Sequence, residues 1–103
     1  MKLVIEGAKP QDIPEMMRLE KILFRDPWGA SHFEQALRHP QQFLWVARIS
    51  LNLVGYVVGW QMVDELHILN VAVAPERQRQ GVGLALLNAC FDRFPSVKQA
   101  FLE

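Results

Sequence analysis

The sequence is poor in several features, and each shortage removes a class of function. It has one cysteine, Cys90, so no internal disulfide can form and a reducing, cytoplasmic setting is expected. Lysine plus arginine number 11 and aspartate plus glutamate 11, so nothing draws the whole chain to nucleic acid or an anionic membrane, and phosphate binding would have to be local. No apolar run approaches the ~20 residues of a membrane helix. The opening Met1-Lys2-Leu3-Val4-Ile5-Glu6 meets an acidic residue too early for a signal peptide. His32, His39 and His67 have no partners at ligand spacing such as H-E-x-x-H, so no metal is expected. No Gly-Lys pair exists, which excludes a Walker A loop.

What is present suits one ordinary globular domain spanning residues 1–103, half of whose side chains are apolar. Lys2 to Gly7 reads as a strand. Asp12 and Glu15 have capping-box spacing with Pro14 in the first turn, and Ile13, Met16, Met17, Leu19, Leu23 and Phe24 give the following helix a broad apolar face, the methionines as packing. Asp26-Pro27-Trp28-Gly29 ends it. Ser31 with Glu34 opens a second, short helix carrying Phe33, Ala36 and Leu37, stopped by His39-Pro40.

Phe43 to Ile49 and Val54 to Trp60 read as an antiparallel hairpin around Ser50-Leu51-Asn52-Leu53, with Gly55 and Gly59 weakening its second strand. Leu66 to Val73 is almost continuously apolar, as a central strand covered on both faces would be. Leu84, Leu87, Phe91 and Phe94 recur at helical spacing up to Pro95, with Cys90 as a small buried hydrophobe, and Val97 to Glu103 is strand-like again. The fold class is therefore α+β, a mixed sheet in the order β-α-α-β-β-β-α-β whose last helix crosses between parallel strands. The chain stops on a strand-like run without a turn signal, so the expectation is a domain incomplete at its C-terminus. Missing strands or a second copy in a dimer would cover the bare edge.

The chemistry concentrates where the strand ending Val71-Ala72-Val73-Ala74-Pro75 runs through Glu76-Arg77-Gln78-Arg79-Gln80-Gly81-Val82-Gly83 into a leucine-rich helix. Two glycines at a helix start let main-chain amides approach an anion, the helix dipole favours it, and Arg77 and Arg79 add charge. A dinucleotide fingerprint would need a third glycine where Leu86 stands. Asp64, Glu65 and His67, at the start of the preceding strand, read as a solvated strand end.

Gln78-x-x-Gly81-x-Gly83 after that strand, within this order of elements, resembles the GNAT superfamily of N-acetyltransferases over essentially the whole chain. Asp26-Pro27-Trp28 with Phe33, and Asp64-Glu65 ahead of Leu69-Asn70-Val71-Ala72-Val73, resemble its RimI-type ribosomal-protein alanine N-acetyltransferases. The resemblance implies acetyl-CoA as cosubstrate and an amine that attacks the thioester directly, with the N-terminal amino group of a protein as acceptor. It implies that Val71, Ala72 and Val73 lie along the pantetheine arm. Gln78, Arg79, Gln80, Gly81, Val82, Gly83 and Leu84 would form the pyrophosphate loop, Trp28 and Phe33 would line the acceptor groove, and Glu103 would be the general base. The family's tyrosine that protonates the departing thiolate lies further along, whereas the only tyrosine here, Tyr56, is in the hairpin. Two other functions remain open: acetylation of a small-molecule amine, and a non-catalytic CoA-binding module.

Overall fold

The computed structural model describes residues 2–102, so Glu103 lies outside it. Strands β1 (Leu3–Gly7), β2 (Gln42–Ile49), β3 (Asn52–Met62), β4 (Glu65–Val73) and β5 (Gln99–Leu102) form one sheet in chain order. Among the first four each strand is antiparallel to its neighbour, and β5 pairs parallel to β4 after the crossover through α3 (Val82–Arg93). Helices α1 (Ile13–Leu23) and α2 (Ala30–Arg38) lie on one face, where Ile13, Met16, Leu19, Phe33 and Ala36 pack with Leu44, Val46, Tyr56 and Val58. Helix α3 covers the other face, where Val82, Leu86 and Cys90 meet Phe43, Ala47, Val57, Leu66 and Ile68. The expected order of elements and the parallel crossover are what the structure has.

Several local expectations are corrected. The strand buried on both faces is β3, whose residues Leu53 to Gly59 are all buried, while β4 alternates with half-buried positions. The cause is position: β3 is third of five, and among the described residues β4 has a neighbour on its outer side only along its first half. Each fully buried valine or leucine on β3 contributes about 1.5–3 kcal/mol relative to exposure. The hairpin turn is tighter than expected, with Ser50 and Leu51 both at positive φ (52° and 70°) and Asn52 already paired with Ile49. The buried stripe of α3 is Val82, Leu86 and Cys90, whereas Leu84 and Phe91 face outward.

Neither expected capping box forms. The Asp12 carboxylate accepts the Lys9 N–H at 2.9 Å and is clamped by Arg48, whose Nη2 donates to both its oxygens at 2.9 and 2.8 Å; Glu15 pairs with Arg18 instead. Charge-assisted bonds to guanidinium outcompete a neutral amide cap. Helix α2 begins at Ala30, and His32 Nδ1 accepts the Gly29 N–H at 3.1 Å, so the cap falls two residues before Ser31.

The sheet contains two register shifts. β2 steps from Ala47–Gly55 to Arg48–Leu53, leaving Val54 as an extra residue, and β3 steps from Val58–Asn70 to Gly59–Ile68, leaving Leu69 extra on β4. A bulge shifts the two-residue alternation by one. Before it, Leu66 and Ile68 face α3; after it, Val71 and Val73 do, while Leu69 and Ala72 turn toward α1. The glycines on β3 answer to these contacts rather than merely weakening the strand. A Cβ on Gly55 would stand 2.6 Å from the Ala72 carbonyl oxygen, and one on Gly59 would collide with the His67 carbonyl oxygen and with Phe43.

Candidate active site

The loop from Ala74 to Gly83 is braced from within. After a 3-10 turn at Pro75–Arg77, Gln78 Nε2 donates to the Val73 carbonyl at 3.2 Å and Gln80 Nε2 to the Glu76 carbonyl at 3.2 Å. Both glutamine side chains are thereby spent on loop geometry. Arg79 (φ 64°) and Gly81 (φ 86°) are both left-handed, and Gly81 is the N-cap of α3. No side chain caps α3, so the amides of its first turn, Val82, Gly83 and Leu84, have no intrahelical acceptor. Space lies outside them. A Cβ on Gly81 would meet nothing within 4 Å, and one on Gly83 would make only ordinary contact with Val73 Cγ2 at 3.7 Å.

The strand feeding this loop has an open edge. β5 pairs with β4 from Glu65–Gln99 to Ile68–Leu102, and from Leu69 onward β4 has no partner on that side among the described residues. The Ala74 N–H donates to the Val54 carbonyl of β3 at 2.8 Å. Alternation then turns the main-chain groups of Ala72 toward β3 and those of Val71 and Val73 toward the open edge. Of the three residues expected along a pantetheine arm, Val71 and Val73 turn their main-chain groups to the edge that has no partner among the described residues, and Ala72 does not.

Across the sheet, the turn after α1 carries Trp28, half-buried and stacked on His32 with ring centroids 5.4 Å apart. Phe33 is fully buried between Trp28 (5.2 Å) and Tyr56 (5.6 Å), so it offers no surface to an acceptor and supports Trp28 from behind. His67 stacks on Phe101 at 4.9 Å and its Nε2 lies 3.0 Å from Glu65 Oε1, a more organised pair than a solvated strand end. Glu103, the expected base, lies outside the described residues. Burial pushes the Cys90 thiol up to about 12, which leaves it protonated and unreactive.

Sequence reasoning misses Glu20. This fully buried carboxylate on α1 accepts the Trp28 N–H at 2.7 Å through Oε1, and the Tyr56 hydroxyl and the Asn70 Nδ2 (3.1 Å) through Oε2. Burial, then the bond to Glu20 and its charge, raise the Tyr56 phenol far above its ordinary value, fixing it as a donor. The signal is in the letters. Position 20 lies on the apolar stripe of Ile13, Met16, Met17, Leu23 and Phe24, where an acid has no reason to sit unless donors await it.

The model of the acetyltransferase (GNAT) family matches residues 13–102. The chain belongs to that family. A putative ribosomal protein bS18-alanine N-acetyltransferase from Bacillus subtilis (strain 168) is 26% identical over 92 residues, covering 88% of this chain and 61% of the relative. The crystal structure of the ribosomal-protein-S18-alanine N-acetyltransferase from Escherichia coli superposes with a TM-score of 0.80 at 24% identity, over 90% of this chain and 59% of that one. An aminoglycoside acetyltransferase from a soil metagenomic sample, solved with sisomicin, gives 0.76 at 23% identity over 98% of this chain and 76% of that one. At such identities the likeness to solved structures shows the GNAT fold. The chain spans about three fifths of the length of the curated relatives it matches. Among the described residues no helix is long and apolar enough to cross a membrane, and no cluster of three potential metal ligands occurs.

Proposed function

We propose that this chain binds acetyl-CoA and that its domain transfers the acetyl group to an amine, the N-terminal amino group of a protein, as the relatives named for ribosomal-protein alanine acetylation suggest. One observation carries the cosubstrate reading: the first turn of α3, which no side chain caps and which left-handed Gly81 opens into free space, follows directly on β4, whose Val71 and Val73 have no partner on their outer side among the described residues. Amides left without an intrahelical acceptor at a helix start suit a diphosphate, and a strand edge without a partner suits the amide groups of a pantetheine arm. With acetyl-CoA as the substrate, Arg79 to Leu84 grip the diphosphate through main-chain amides. Val71 and Val73 align the arm and set an amide near the thioester oxygen, where negative charge develops during attack. Trp28 shapes the acceptor side, and Glu103 is the proposed base.

Gly81→Asp and Gly81→Asn separate charge from shape, since both side chains tolerate a left-handed backbone and have similar size. Calorimetry should show acetyl-CoA affinity falling by several kcal/mol in Gly81→Asp and clearly less in Gly81→Asn. Unchanged binding in a folded Gly81→Asp would discard the site. Acetyl-CoA consumption with Ala-starting peptides against a panel of polyamines, amino acids and aminoglycosides then identifies the acceptor class, and reaction with small amines alone would overturn the protein-N-terminus reading.

A further inference from the structure

The bonds of Glu20 gather three separate parts of the chain onto one carboxylate. Trp28 comes from the turn after α1, Tyr56 from the middle of β3, and Asn70 from β4 immediately after the bulge residue Leu69. Both oxygens act only as acceptors, the pattern of a carboxylate, and no cation is among these three partners. Burying such a group is unfavourable, and an apolar residue of similar size would fill the space better. Its neighbours on the stripe, Met16 and Leu19, do that. A feature kept at this cost has a geometric product: it ties the Trp28 turn to the segment of β4 whose next residue, Val71, faces the open edge.

We infer that Glu20 is a positioning residue, which holds the acceptor-side turn at Trp28 in fixed relation to the cosubstrate-side edge of β4 by bonding Trp28 and Asn70 with its two oxygens. It touches neither substrate and acts through those two residues. The inference rests on the acetyl-CoA reading. It goes beyond that reading by coupling the two sides of the site through one buried group. Packing alone would require only that the space be filled.

The test follows the Trp28 backbone amide by 15N NMR during titration with acetyl-CoA, in the wild-type chain, Glu20→Leu, Glu20→Gln and the double variant Glu20→Gln/Asn70→Asp. Calorimetry and thermal melting are run in parallel. In Glu20→Gln the Gln amide nitrogen meets the Asn70 amide nitrogen, donor against donor, and Asn70→Asp restores an acceptor there. We expect acetyl-CoA to shift the Trp28 resonance in the wild type, the shift to fall at least threefold in Glu20→Gln and Glu20→Leu, and the double variant to recover most of it. Acetyl-CoA affinity should change less than threefold throughout, because the loop at Gly81 is untouched. A Trp28 resonance indifferent to acetyl-CoA in a wild type that binds it would overturn the inference alone. So would a full shift retained in folded Glu20→Gln, or a loss that follows melting temperature and is not rescued by Asn70→Asp. Absence of binding heat in the wild type would instead sink the cosubstrate reading and this inference with it.

Discussion

Gly55 and Gly59 on β3 and Gly81 and Gly83 at the start of α3 are the same residue type under opposite constraints. On β3 a side chain is forbidden by the protein itself, because carbonyl oxygens of β4 stand where a Cβ would go. At α3 the protein leaves the space open, and only the backbone angle of Gly81 asks for glycine. Nothing among the described residues explains Gly83. The proposed diphosphate site would account for it.

This contrast can be broken by experiment, the largest effect first. Gly59→Ala should destabilise the fold by about 2–4 kcal/mol, since backbone rather than a movable side chain blocks the new methyl. Urea denaturation measures it, and a loss below ~1 kcal/mol would mean that β4 yields easily. Gly83→Ala should act in the reverse sense: about 0.5–1 kcal/mol more stable from helix propensity and a less flexible unfolded chain, yet about tenfold weaker for acetyl-CoA. A variant that gains stability and keeps full affinity would show the glycine to be incidental. Smallest is Leu51→Gly, at a site 91% exposed with φ of 70°, where a left-handed turn residue is wanted and leucine stands instead. A gain of about 0.5–1 kcal/mol is expected from relieved backbone strain, read from the shift in denaturation midpoint.

Periodicity and turn chemistry are enough to read the element order, the parallel crossover and the loop into α3, because these depend on residues close in sequence. What escapes depends on distant partners. Asp12 and Glu15 look like a capping box until Arg48, far along the chain, claims the carboxylate. The bulges at Val54 and Leu69 leave no local mark, since each is defined by which residue of the neighbouring strand stands opposite. Leu66 to Val73 reads as the central strand because its apolar run ignores the half-exposed sites that come with its place in the sheet. Family likeness puts Phe33 in a groove, whereas Tyr56 and Trp28 enclose it. Glu20 goes unnoticed when the stripe around it is read for its apolar members alone.

The extra residue at Leu69 also acts as a phase break. Removing it would make Ile68 and Asn70 neighbours opposite Gly59 and Val58, so the ladder would run straight and Asn70, Val71, Ala72 and Val73 would keep the sides they have. A deletion of the spare residue is absorbed by flattening the ladder, and what is lost is the local bend and twist that the bulge supplies.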